Sequence, residues 1–222
     1  MIWESDKPLS ILFKNGLNIP LNIFLKVERK PRLFIPLLIV ALGYILYIYL
    51  TVDIIVNETI TQAIISGHRA PSTAQLKPIM ITVRFFKAAF SVLAISTIIW
   101  FLVNLTKYGI DFKRILIAVL YGEIAYICGV ICIKTPMMLL GKTADSAPSL
   151  VFLGEYLMLD KNNLLRYLLS RVDLIIIGEI IVIGIGLSII CHCSKNKALA
   201  ISFLSVWLIP TLFQITILGR AY

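Results

Sequence analysis

An all-α integral membrane bundle of five transmembrane helices, preceded by an N-terminal interfacial segment, is the fold this sequence predicts. Three observations predict it. The 222-residue chain is 59% hydrophobic, where a soluble domain carries roughly 45–50%, and its mean hydropathy is +0.92. Its apolar residues fall in long runs, and about 18–20 such residues at ~1.5 Å rise cover the ~30 Å hydrocarbon core of a bilayer. Polar links rich in Lys and Arg separate those runs, as they do beside membrane helices. The formal net charge of +9 would suggest nucleic acid in a soluble chain, but these links explain it, and nucleic acid is not the expected partner.

Residues 1–32 precede the first run and form a cytoplasmic or interfacial leader. Its apolar patches, Leu9–Phe13 and Leu17–Leu25, are broken by Gly16 and Pro20 and followed by Lys26, Arg29, Lys30 and Arg32. Such a segment lies in the headgroup layer of an anionic leaflet, or is simply a loosely packed leader. With no basic region leading into an apolar one, the first span is expected to act as its own uncleaved insertion signal.

The membrane domain, 33–222, holds spans at about 33–52, 79–106, 115–133, 174–191 and 198–218. In the first, Pro36 sits in the opening turn, where a missing amide costs little. Tyr44, Tyr47 and Tyr49 are expected near its far end, at headgroup level. A polar loop, Asp53 to Pro78, should follow, with a short surface helix around Ile60, Ala63 and Ile64. Gly109 stops the second span and Asp111 caps the third. The connection from Lys134 to Asp173 carries apolar patches at Met137–Leu140 and Leu150–Leu159, too short to cross. The last two spans flank CHCSKNK, a link that permits only a tight reversal, with Ser194 or Asn196 as cap of the returning helix. Pro210 should kink that helix.

Charge orients the bundle. With the N-terminus inside, eleven of the 21 Lys and Arg lie on the cytoplasmic side, and they are concentrated in short links, where charge governs orientation. The expectation is a bacterial cytoplasmic membrane protein, N-terminus inside and C-terminus outside.

The placed residues resemble the Yip family of polytopic membrane proteins, named for interaction with Ypt/Rab GTPases. The resemblance rests on Asp173, Gly184-Ile-Gly186-Leu187, Ser194-Lys195-Asn196-Lys197-Ala198 and Trp207. Gly109 with Phe112-Lys113-Arg114, Tyr121-Gly122, the leader's Pro20 and Lys30-Pro31-Arg32, and Leu164-Leu165 to Leu168-Leu169 support it. Two departures are Glu123, near where relatives often carry proline, and Glu179, near where they often carry tryptophan or an apolar residue. The resemblance implies a non-enzymatic role in membrane organisation, trafficking or binding of other membrane proteins, a transporter complex among them. It implies no catalytic residue and no cofactor. Rab binding belongs to members with a long cytoplasmic leader and is not expected of this chain.

Glu123 and Glu179 are the residues that could carry chemistry. A carboxylate at membrane depth is costly and suggests a proton relay or cation site, as in a small transporter or channel subunit. The plainer reading is a paired or protonated glutamate joining helices. For Glu179 the expected partner is Arg84 or Lys87, inside the second span. For Glu123 no cation stands at matching depth; Ser96, Thr97, Tyr126 and Gln214 are the nearest polar groups.

Small residues recur at helical spacing at Ala118, Gly122, Ala125 and Gly129, at Gly184 and Ser188, and at Ala198 and Ser202. Such faces let backbones approach closely, and packing within the chain is expected ahead of a homo-oligomer. Cys191-His192-Cys193 holds metal-ligand residue types, but adjacent residues cannot readily face one tetrahedral ion. Cys128 and Cys132 lie at the other side of the bilayer, and His68 and His192 stand apart. No metal site is expected, and no phosphate-binding, zinc-protease or serine-nucleophile motif is present.

Overall fold

The computed structural model describes residues 24–26, 31–67, 72–106, 108–140, 168–169 and 171–217. Five helices order them: α1 (Phe34–Ile65), α2 (Thr73–Leu105), α3 (Phe112–Leu139), α4 (Leu174–Ile190), and α5, which runs through Lys195–Phe203, Leu204–Leu208 and Ile209–Ile217. Four of them, all but α4, are long and apolar enough to cross a membrane. These four helices mark the chain as an integral membrane protein. The 17 residues of α4 extend ~26 Å at the usual rise.

The expected polar loop after the first span is not a loop. With 32 residues α1 continues to Ile65, because residues 53–65 contain neither Gly nor Pro and two of their hydroxyls bond back to the helix. Thr59 and Thr61 donate to the Ile55 and Asn57 carbonyls at 2.8 Å, an arrangement the helix interior accepts. Gly67, at φ +71°, ends the run. Helix α2 begins just beyond, at Thr73, and Lys77 near its start pairs with Asp53 of α1 at 2.7 Å. Both helices thus measure ~48 Å and exceed the hydrocarbon core.

The third span is longer than its clean apolar stretch. It starts at Phe112, after Gly109 at φ +59°, and absorbs Met137–Leu139, expected to lie outside it. Asp111 occupies the N-cap position without bonding a first-turn amide. Residues Val130–Lys134 form π turns just ahead of Pro136, and Leu204–Leu208 do the same ahead of Pro210 in α5. Proline cannot donate to the carbonyl four residues back and its ring crowds that carbonyl. Widening the preceding turn lets the helix continue. Pro210 therefore acts through a π stretch, and Pro136 through its counterpart.

Asp173 caps α4, its Oδ1 accepting from Ile175 N at 2.8 Å. The reversal into α5 takes only Cys191–Ser194, with His192 in the left-handed region at φ 48°. Ser194 stands at the N-cap of α5, though no side-chain bond forms there. Trp207 of α5 donates to the Arg171 carbonyl at 3.0 Å, fastening α5 to the segment before α4.

Helix α3 is central and packs against α1, α2 and α4, while α4 pairs with α5. The core is built from Ile99, Ile115, Ile117, Leu120, Ile183 and Leu187, all buried. Of the leader, residues 24–26 form a helical turn, and Phe24 inserts between Gly186 and the edge of Tyr121, 5.5 Å between ring centroids. The rest of its apolar patches, Leu150–Leu159, Leu164-Leu165 and His68 lie outside the described residues. The outer faces carry exposed Phe34, Phe86, Phe90, Leu105 and Phe213. So much large apolar surface would be a liability in water, but it suits contact with lipid chains.

Candidate functional site

Two glycines bring the buried acids together. A Cβ on Gly43 of α1 would stand 2.7 Å from Ile127 Cγ2 of α3, and one on Gly122 of α3 would stand 2.3 Å from Ile183 Cγ1 of α4. Without side chains there, Ile127 of α3 sits against the α1 backbone and Ile183 of α4 against the α3 backbone. The residues that follow those glycines are Tyr44 and Glu123, and Glu179 lies one turn from Ile183 on α4. Tyr44 donates its hydroxyl hydrogen to Glu123 Oε1. The Glu123 and Glu179 carboxyl groups are neighbours, each residue 4% exposed. Glu179 Oε1 is buried with no hydrogen-bond partner.

A cavity of about 360 Å³ opens beside them. Every helix contributes at its own helical spacing: Tyr44, Tyr47 and Ile48 from α1; Arg84, Lys87, Ala88, Ser91 and Ile95 from α2. Glu123 and Tyr126 come from α3, Ile176 and Glu179 from α4, and Val206 from α5. The four charged residues singled out in the sequence therefore line one space. Their depths differ: the glutamates are buried, Arg84 is half-buried and Lys87 exposed. The floor is acidic and aromatic, the rim basic.

The ion pair expected between Glu179 and Arg84 or Lys87 does not form. Among the described residues the single ion pair within 4.0 Å is Lys77 with Asp53. The cations line the same cavity without coming within 4.0 Å of the acids, and α2 does not pack on α4 as α3 does. Nor do Ser96 and Thr97 serve Glu123; their hydroxyls bond back to the Val92 and Leu93 carbonyls of α2. Tyr126 shares the cavity, as its proximity in the third span suggested.

Tyr44 and Tyr47 were not expected at the site. Both are half-buried and line the cavity from α1, with Tyr49 turned outward and exposed. The signal that could have found Tyr44 is its neighbour Gly43, a small residue in an otherwise bulky run.

The small residues pack within the chain. A Cβ on Gly129 would stand 2.7 Å from Ile175 Cγ2, and one on Gly184 would stand 2.6 Å from Leu199 Cδ2. Ala118 and Ala198 are fully buried; Ala125 is half-buried, and Ser188 bonds its own helix at Ile185 O. Cys128 and Cys132 are exposed, Cys191 buried and Cys193 half-buried, all as free thiols. Among the described residues no group of three His, Cys, Asp or Glu side chains could hold a metal ion.

Comparison with protein-family models, with curated proteins and with solved structures finds no match to this chain. What the site can do must be argued from its own groups. Two adjacent carboxyls with a tyrosine donor can hold a proton or a cation, and two unengaged cations at the rim can hold an anion.

Proposed function

We propose that the protein is a five-span, non-enzymatic component of a bacterial cytoplasmic membrane that binds a small charged ligand in this cavity, as a small transporter or channel subunit does. One observation carries the reading. Charged side chains of both signs, from three helices, line a single intramembrane cavity without neutralising one another. Intramembrane ionisable residues that face a cavity mark substrate or ion paths by default. In this reading α4 crosses despite its 17 residues, since Asp173 at one end and the Cys191–Ser194 turn at the other extend into the polar layers. Flux through proteoliposomes tests it: Glu179→Gln should abolish uptake that the unaltered protein supports, and a protein inert towards ions and small solutes would refute it.

A Yip-like partner-binding role is the second reading. The residues behind that resemblance favour it as a matter of scaffold: Asp173 caps α4, Gly184 and Gly186 are packing contacts, and Trp207 fastens α5. In that role the chain organises the bilayer or binds other membrane proteins, or a second copy of itself, and Glu123 and Glu179 are internal glue. Mild-detergent purification with mass spectrometry of co-eluting proteins distinguishes the two. A stoichiometric membrane partner supports the adaptor; a uniform species of this chain alone supports transport.

The orientation, N-terminus inside and C-terminus outside, is tested at Cys193. Cys191 is too buried to report. Burial raises the Cys193 thiol above its usual range, partly offset by Lys197, so labelling by an impermeant maleimide should speed up as pH rises, because the thiolate is the nucleophile. With Cys128 and Cys132 replaced by serine, labelling in intact cells would reverse the orientation, and labelling only in inverted vesicles supports it.

A further inference from the structure

The charge pattern of the cavity selects among ligands. An acid pair on the floor and two cations at the rim give the two ends of the cavity opposite charge preferences, so a simple cation meets the rim cations and a simple anion meets the carboxyl oxygens. A ligand carrying both charges meets neither penalty. At about 360 Å³ the space lies near the lower end of ligand-pocket volumes, roughly 300–1,000 Å³, which suits a small molecule. Tyr44, bonded to Glu123, and Tyr126, one turn along α3 from it, line the cavity beside the acids, and aromatic faces attract ammonium groups. Glu179 Oε1, buried and without a donor, is an acceptor that an ammonium would satisfy.

We propose that the cavity binds a zwitterionic amine, its ammonium against Glu179 and Glu123 and its anionic group against Arg84 and Lys87. The inference rests on the ligand-binding reading above. Two sources offer this chemistry: a water-soluble zwitterion, or the headgroup of a zwitterionic phospholipid. An apolar groove of about 220 Å³ between α1, α2 and α3 shares Tyr44 and Ala88 with the charged cavity and is lined by Leu37, Val40, Phe85 and Leu93. It gives a lipid tail a place to lie beside its headgroup.

The test uses the full chain, purified in a non-ionic detergent, with its thermal unfolding midpoint followed as ligands are titrated. Phosphoethanolamine and a short-chain phosphatidylethanolamine are the zwitterions; ethylamine, inorganic phosphate and short-chain phosphatidylglycerol are the single-charge controls. A saturable rise in midpoint with a zwitterion, and at least tenfold weaker with each control, is expected, since binding to the folded state stabilises it by mass action. A rise with the lipid alone assigns the source to the bilayer; a rise with both assigns it to the charged group. Glu179→Gln and Arg84→Gln should each weaken the response at least tenfold while keeping the ligand-free midpoint near that of the unaltered chain. Equal responses to ethylamine or phosphate, or none to either zwitterion, would overturn the proposal. Flux blocked by Glu179→Gln without zwitterion binding would sink this inference alone. Zwitterion binding without flux would keep it and sink the transport reading.

Discussion

The seam between α3 and α4 and the pairing of α1 with α2 handle the same problem in opposite ways. Along the seam, Gly122 and Gly129 let Ile183 and Ile175 sit against backbone. Between α1 and α2 large side chains, Ile45, Tyr49, Phe85 and Phe86 among them, hold the helices apart around a groove of about 760 Å³. In a bilayer, lipid tails are as apolar as leucine, so close van der Waals contact must drive helix association. The seam achieves that contact along glycines, whereas α1 and α2 meet through a smaller apolar cluster, Ile48, Val52 and Val56 with Leu76 and Met80, next to the exposed Lys77–Asp53 pair. The charged cavity lies where the tight seam gives way to the loose pair. Its acids belong to the seam and its cations to α2, and this is why the opposite charges face each other without touching.

The largest expected effect breaks the seam. Gly122→Val puts a branched side chain where a single Cβ already meets Ile183 at 2.3 Å, and overpacking of a dense core costs about 3 kcal/mol at its upper end. Thermal unfolding in detergent should show a collapse of stability or no folded protein. A near-neutral Gly122→Val would mean that α4 is not held against α3 there. Next comes Tyr44→Phe, which removes the one hydrogen bond tying α1 to the acid pair; a buried acceptor losing its donor costs about 1–3 kcal/mol. Equal stability of this variant and the parent would place Glu123's donor elsewhere.

Gly178→Ala sharpens the comparison from the other side. Gly178 neighbours Glu179 yet a Cβ there meets nothing within 4 Å. Alanine should therefore stabilise α4 by up to ~1 kcal/mol through helix propensity, read as a higher unfolding midpoint; destabilisation would show that a second surface packs on this face. Smallest is Lys77→Ala. Its pair with Asp53 is exposed on both sides, at 43% and 67%, and such pairs contribute about 0–1 kcal/mol. A change above that range at moderate salt would show the α1–α2 pairing to depend on its far end.

Much of the chain can be read without coordinates, and the failures have a common cause. The stops at Gly109 and at the Cys191–Ser194 reversal follow from local chemistry and stand where the sequence put them. The ends of α1 and α3 do not, because polarity was taken as a helix boundary. Asp53, Asn57 and the threonines are polar but not helix breakers, and Pro136 is accommodated by π turns that no hydropathy window registers. At the site, Glu123, Glu179, Arg84 and Lys87 were identifiable because a charge within an apolar run stands out. Tyr44 was not, since tyrosine is at home both at the headgroup layer and in a core.

What the sequence alone determined is therefore one-dimensional: the all-helical class, the membrane environment, the tight hairpin and the identity of the charged residues at membrane depth. Those follow from the cost of unpaired backbone and of exposed apolar surface, each set residue by residue along the chain. Which charges meet was decided by tertiary structure. Pairing depends on how closely two helices approach and how each is rotated, and both are set by the glycine contacts Gly43–Ile127 and Gly122–Ile183 between distant segments. Those contacts bring Glu123 to Tyr44 and Glu179, and leave Arg84 and Lys87 across the cavity.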